Sequence, residues 1–221
     1  VAYSLAITEI AKGCASHAVT TSVTNMVAEV INEFGQDEIK RKHVTKLCSG
    51  QYPAGSFSIT EPHTGSDAAN LRTTAIRKND TYVLNGSKTL ITSGEASGVT
   101  VTWAVTDRNA KKGKGISAFV IEKGTPGFII GKAEEKMGHR ASQTNELVFD
   151  NCVVPSHSLL GKEGASHLTD KVPIEHDRSE GLFDIKKSLN ESAVTNPPPC
   201  WQKRRGIFYS DVSRNRFSHQ S

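Results

Sequence analysis

The sequence predicts an α+β fold in which a few N-terminal helices precede an antiparallel β-barrel or sandwich. Three observations carry that expectation. Val23, Val27, Val30, Ile31 and Phe34 recur at three- and four-residue spacing, the repeat of one helix face. Val99, Val101, Trp103 and Val105 alternate with Thr100, Thr102, Ala104 and Thr106, the repeat of a strand. Around them, short apolar runs are separated by Gly, Pro and Lys clusters, the punctuation of a sheet of short strands.

Residues 1–54 carry the helical part. The Val23–Phe34 stripe stops at Gly35, where a helix can end. A shorter helix is expected from Asp37 to Leu47, with Asp37 as the cap, Ile39, His43 and Leu47 on one face, and Gly50 as the stop. Such helices bury one side against another element.

Residues 55–164 read as one β-domain. Tyr82, Val83 and Leu84 run into Asn85-Gly86, a strong hairpin-turn dipeptide, and a second strand follows from Thr89 to Thr92. Ile116 to Ile121, Gly127 to Ile130 and Glu146 to Phe149 continue the series. From 165 to 221 no period is sustained, and Asn196-Pro197-Pro198-Pro199 forbids regular structure locally. That tail is expected to be disordered or poorly packed.

Composition narrows the function classes. The formal net charge of +4 is modest and spread along the chain, which suits an anionic ligand but leaves no nucleic-acid footprint. No apolar run approaches the roughly 20 residues of a membrane span, and no signal peptide is recognised. Cys14, Cys48, Cys152 and Cys200 lie too far apart for a zinc site, and reduced thiols point to bacterial cytoplasm or mitochondrial matrix. The histidines, among them His63, His139 and His157, never take metal-ligand spacing, so no metal is expected. A chain opening on Val1 is expected to lack its natural start.

The most informative stretch runs from Phe57 to Asp67. Glu61 precedes Pro62 and is pushed toward extended geometry, Gly65 can take a sharp turn, and Thr60, Thr64 and Ser66 supply hydroxyls. Spacing alone leaves this as a polar loop leaving a strand, Leu90 to Gly94 as a strand end, and Lys111 to Gly115 as a basic, solvated turn. Gly86-Ser87-Lys88-Thr89 looks like the tail of a phosphate-binding loop, but the earlier glycine is absent, position 81 being Thr81.

In order along the chain, these stretches resemble the acyl-CoA dehydrogenase family. The resemblance rests on Ile31-Asn32-Glu33-Phe34-Gly35, Leu47-Cys48-Ser49-Gly50, Thr60-Glu61-Pro62 and Gly65-Ser66-Asp67. It continues through Asn85-Gly86-Ser87-Lys88, Ile91-Thr92, Lys136 to Ser142, Val154-Pro155 and Leu160-Gly161. It implies FAD, an acyl-CoA thioester oxidised between Cα and Cβ, an electron-transfer flavoprotein as electron acceptor, and a homo-oligomer. Phe57, Ile59, Thr60, Gly65, Ser66, Leu90, Ile91 and Thr92 fall at its cofactor positions. The Thr60 hydroxyl would meet the pyrimidine edge of the flavin, and Thr92 would donate toward N5. Leu90 stands where the family usually carries Trp or Phe, and Ser66 would also contact the acyl-CoA. The Lys111–Lys114 loop would approach the CoA phosphates.

The match stops at Gly164, where Ala165-Ser166-His167-Leu168 leads into unrelated sequence. A changed reading frame or a truncated gene is the expected origin, and a nucleotide sequence with an intact frame across codon 165 would remove that hypothesis. No carboxylate of the tail, including Glu175, Glu180 and Glu191, lies in a matching motif, so no catalytic base is assigned. The resulting expectation is an acyl-CoA dehydrogenase by descent, incomplete and inactive alone. Two alternatives stand beside it, a non-catalytic flavin- or acyl-CoA-binding remnant and a β-domain used for protein interaction.

Overall fold

The computed structural model describes residues 2–164. The tail, with Glu175, Glu180, Glu191, Cys200 and the triple proline, lies outside the described residues, as does Val1. Helices α1 (Ala2–Gly13) and α2 (Ala15–Phe34) come first. A third helical run follows as α3 (Asp37–Ile39), a π turn (Lys40–Val44) and α4 (Thr45–Ser49). The strands are β1 (Ala54–Ser58), β2 (Thr74–Lys78), β3 (Thr81–Thr92), β4 (Ser97–Val105), β5 (Ile116–Glu122), β6 (Phe128–Ala133), β7 (Thr144–Pro155) and β8 (Leu159–Leu160).

The strand order is β6-β7-β3-β2-β4-β5-β8, with β1 paired to β4. Strands β2 and β4 meet only at Thr74 and Val105, so the sheet divides there into two halves. The halves face each other. Ala104, Phe119 and Ile121 of one pack with Tyr82, Leu84, Ile91, Leu147 and Phe149 of the other. On its opposite face, the β4-β5 half carries Val99, Val101, Trp103, Ala118 and Val120 against Val27, Val30 and Ile31 of α2. Ile39, Val44 and Leu47 join that layer. The molecule is thus three layers deep, helices on a half-sheet on a half-sheet.

This layering explains the pattern in β4. Both of its faces are buried, Val99, Val101 and Trp103 toward the helices and Thr100, Thr102 and Ala104 toward the other half-sheet. The buried threonines are satisfied locally, since Thr102 Oγ1 donates to the Ser58 carbonyl at 3.1 Å. A buried polar group without such a partner would cost free energy.

Two expectations are corrected. Asn85-Gly86 is not a hairpin turn. It sits inside β3, and the chain reverses earlier, between Lys78 and its partner Thr81, through Asn79 with φ 54°. Gly86 marks a register shift against β7, and a Cβ there would lie 2.5 Å from Thr73 Oγ1 and 2.7 Å from Thr73 Cα. The glycine serves close backbone approach. Secondly, Asp37 does not cap the third helix. The capping position is Gln36, without a side-chain bond, and Asp37 lies in the first turn, where its charge still suits the helix dipole. The expected helices followed by a β-domain are present, and within its sheet β1 and β2 run parallel to β4. The other pairings are antiparallel. Gly50 does end its helix in the left-handed conformation, with φ 78°.

His43 is the buried titratable group of the helical layer, 2% exposed and stacked on Tyr52. Burial, helped by Lys42 and Lys46 and opposed by Glu122, pushes its pKa down to about 4. The unfolded chain therefore binds a proton at this residue below about pH 6.5 that the folded chain refuses until about pH 4. Stability contributed by neutral His43 is fully present above pH 6.5 and lost as the pH falls toward 4, on the order of 3 kcal/mol in all. Urea unfolding at pH 7.5 and pH 5 should show a loss that His43→Phe, which cannot take a proton, reduces. An identical pH slope in wild type and His43→Phe would refute the assignment.

Candidate functional site

The polar segment after β1 is built around one buried ion pair. Lys88, 0% exposed on β3, donates from Nζ to Glu61 Oε1 at 2.7 Å and to the Ile59 carbonyl at 3.0 Å. Glu61, 3% exposed, also accepts the backbone N–H of Arg72 at 2.7 Å and of Thr73 at 3.0 Å. Burial would raise the Glu61 pKa, but the Lys88 ammonium and the hydrogen bonds outweigh it and hold the carboxyl below its usual range. Burial, only partly offset by Glu61, pushes Lys88 below the usual lysine range.

The backbone closes a tight turn beside this pair. Glu61 and Thr64 exchange both backbone hydrogen bonds at 3.0 Å, and Thr64 Oγ1 donates to the Asp67 carbonyl at 2.6 Å. The His63 ring meets the Asn70 carbonyl at 3.0 Å. The Thr89 N–H donates to the Thr60 carbonyl at 2.9 Å, and Ser56 Oγ donates to the Thr92 carbonyl at 3.0 Å. The Thr60 and Leu90–Thr92 stretches, separate in sequence, therefore run side by side.

A bulge decides which side chains of β3 face outward. The register against β7 shifts between Lys88 and Ile91, and Leu90 there takes φ 58°. Tyr82, Leu84 and Lys88 share the buried parity, on which Leu90 and Thr92 would also fall. The extra residue moves Ile91 inward, 2% exposed, and leaves Leu90 outward, 64% exposed. A left-handed leucine costs about 1–2 kcal/mol. Such a conformation persists only where the surrounding structure holds it in place.

The eight expected cofactor positions divide accordingly. Phe57 packs on Trp103, with centroids 4.4 Å apart, and Ile59 joins the same helical-side core. Ile91 faces between the half-sheets. Of these three only Ile91 is fully buried, and Phe57 and Ile59 keep part of their side chains exposed. Thr60 and Thr92 are half-buried, Gly65 and Ser66 are exposed, and Leu90 stands out beside them. Among the described residues neither the Thr60 nor the Thr92 hydroxyl has a hydrogen-bond partner. Two unclaimed hydroxyls with an exposed apolar side chain between them in sequence fit a flat heteroaromatic ring with a polar edge. Sequence reasoning named Glu61 and Lys88 within its motifs but did not pair them. The available signal was a lysine on the buried parity of an apolar strand.

A cleft of about 430 Å³ adjoins the turn, lined by Asn70, Arg72, Asp107, Arg108, Lys111 and Lys112 among others. Lys112 Nζ pairs with Asp67 Oδ2 at 2.7 Å across its rim. The basic 111–114 loop, read from sequence as a solvated turn, thus forms one wall of a concave, cationic surface next to Ser66. Among the described residues no group of His, Cys, Asp and Glu could hold a metal ion, and no helix is long and apolar enough to cross a membrane.

Comparison with known proteins places this arrangement. Residues 56–152 match the family described as acyl-CoA dehydrogenase, middle domain, and residues 1–51 match the acyl-CoA dehydrogenase N-terminal domain. An acyl-CoA dehydrogenase of Bacillus subtilis is 50% identical over 165 residues, covering 74% of this chain and 43% of the relative. The butyryl-CoA dehydrogenase structure from Megasphaera elsdenii shares 45% identity at a TM-score of 0.69, over 72% of this chain and 42% of that one. A glutaryl-CoA dehydrogenase from Mycobacterium smegmatis, solved in complex with FADH2, shares 33% identity at a TM-score of 0.70, over 82% of this chain and 44% of that one. The chain spans about two fifths of the length of the curated relatives it matches. Matched in order by the family's first two domains and folded like its solved members, the chain belongs to the acyl-CoA dehydrogenase family.

Proposed function

We propose that the chain carries the flavin- and thioester-facing part of an FAD-dependent acyl-CoA dehydrogenase. The observation that carries this reading is the side-by-side course of the Thr60 and Leu90–Thr92 stretches, which carry two threonine hydroxyls without a partner among the described residues and an exposed, strained Leu90. Bound FAD would supply the hydride acceptor for α,β-oxidation of an acyl-CoA thioester. The residues of this chain would bind and orient. Thr60 would donate to the pyrimidine edge, where negative charge gathers in the reduced ring, and Thr92 would donate toward N5. Leu90 would cover the ring with apolar surface, and Ser66 would meet the acyl-CoA. The basic cleft beside it, with Arg72, Arg108 and Lys111, would take the CoA phosphates.

No residue among 2–164 is assigned the base that removes the α-proton. The buried carboxylate nearest the site, Glu61, is held as an anion by Lys88 and two backbone N–H groups, with the His63 ring 3.7 Å from its Oε2. The reading therefore places proton abstraction outside these residues, and reoxidation with an electron-transfer flavoprotein. The same reading gives the intact protein a homo-oligomeric state and a place in the bacterial cytoplasm or the mitochondrial matrix.

Titrating the purified chain with FAD, followed by flavin fluorescence and by the visible spectrum after gel filtration, tests the reading. Saturable binding is expected, weakened roughly 3- to 10-fold by Thr60→Val and by Thr92→Val, as each removes about 1 kcal/mol of hydrogen bonding. Colourless protein at saturating FAD would sink the proposal. Equal affinity in both variants would sink the assigned contacts.

A further inference from the structure

We propose that the buried Lys88–Glu61 pair is a positioning device that fixes the flavin-facing turn relative to the basic cleft. The inference rests on the flavin reading of that turn and goes beyond it, since neither side chain faces the ligand surface. Both belong to elements whose outer residues do.

The geometry is specific. Lys88 grips the turn on either side of Thr60, at the Ile59 carbonyl and at the Glu61 carboxylate. The next residue of the same strand, Thr89, holds the Thr60 carbonyl itself. One short piece of β3 thus fixes three consecutive residues of the turn. Glu61 then passes the restraint on in two directions. Its backbone closes the Glu61–Thr64 bridge from which Gly65 and Ser66 project. Its carboxylate holds the N–H groups of Arg72 and Thr73, and Arg72 is a wall of the cleft. The ammonium and the carboxylate together set the spacing between the ring-facing hydroxyl and the cationic surface.

A purely structural role explains the pair less well. Among the described residues no other lysine, arginine or carboxylate is buried. Taking both charges out of water is expensive, and apolar residues of the same volume would serve packing equally well or better. What charge adds is direction, because the ammonium and carboxylate each bind named backbone atoms at fixed angles. The bulge that turns Leu90 outward begins at Lys88, so the same residue also anchors the end of β3 that presents Leu90 and Thr92.

The test uses the whole chain and three variants. Lys88→Met strands the Glu61 charge and serves as the severe case. Lys88→Met/Glu61→Gln removes both charges with little change of volume and is the informative one. Phe149→Leu, in the core between the half-sheets and stacked on Phe128 at 5.3 Å, is the control for general destabilisation. Thermal melting reports folding, amide hydrogen exchange at residues 60–66 reports the turn, and FAD titration reports the site. The expected result is a double variant that melts within a few degrees of the control but exchanges at 60–66 at least tenfold faster. Its FAD affinity should also be at least tenfold weaker than the control's. Exchange in the turn equal to that of Phe149→Leu would overturn the proposal, whatever the melting temperature. If wild type takes up no FAD, the flavin reading fails, and the exchange comparison still decides whether the pair positions the turn.

Discussion

Glu61→Ala is expected to destabilise the chain by about 3–5 kcal/mol, more than any surface substitution. The alanine leaves a fully buried ammonium at Lys88 facing one carbonyl, and removes the acceptor of the Arg72 and Thr73 N–H groups. Water does not reach the site readily, so these donors lose their partners at full desolvation cost. Glu61→Gln should fall between. Its carbonyl oxygen can stand at the Oε1 position and keep Lys88 and Thr73, while its amide group meets the Arg72 N–H donor to donor. About 1–3 kcal/mol is the expected loss for that mismatch. Adding Lys88→Met to Glu61→Ala should return part of the loss, because the stranded charge is gone, so the two effects are strongly non-additive. Urea unfolding followed by tryptophan fluorescence measures all three. A loss below about 1 kcal/mol for Glu61→Ala would mean that the pair behaves like a solvated surface pair and that the site opens to water.

What the sequence makes legible here depends on whether the cause is local. The stripe from Val23 to Phe34 and the alternation from Val99 to Val105 each report a buried face, and both appear in α2 and β4. The alternation in β4 even hid a second burial, since its Thr100 and Thr102 look polar but lie between the half-sheets. Parallel pairing of β1 with β4 leaves no such trace, because it is fixed by what lies between the strands and not by either strand. Asn85-Gly86 misled for a related reason. The dipeptide suits a tight turn, yet the reversal at Asn79 had already used the available chain, and the glycine was needed for the approach of Thr73. At the site, Thr60 and Thr92 were visible through the family pattern. The side-by-side course of their two stretches depends on the Thr89–Thr60 and Ser56–Thr92 hydrogen bonds, which link residues roughly thirty positions apart. The role of Lys88 was masked by its resemblance to a phosphate-loop lysine, a surface role, when its strand parity pointed inward.

Trp103→Ala is expected to cost about 3–5 kcal/mol, and Trp103→Phe about 1 kcal/mol or less. Trp103 is 1% exposed and fills the layer between β4 and the helices, where a large-to-small change leaves a cavity that rigid elements cannot close. Its indole N–H has no partner among the described residues. The wild-type side chain therefore carries a desolvation cost that phenylalanine does not, which offsets part of the smaller ring's lost contacts. The two variants also separate packing from the site. Trp103 supports Phe57 directly, at 4.4 Å, and Phe57 leads through Ser58 and Ile59 to the Thr60 hydroxyl. Loss of that support should loosen the end of β1 and weaken FAD binding in Trp103→Ala, while Trp103→Phe keeps a ring under Phe57 and binds like wild type. Equal FAD affinity in folded Trp103→Ala would show that the turn is held from β3 alone. The ion pair would then carry the whole of the positioning, and the helical layer would contribute stability without shaping the site.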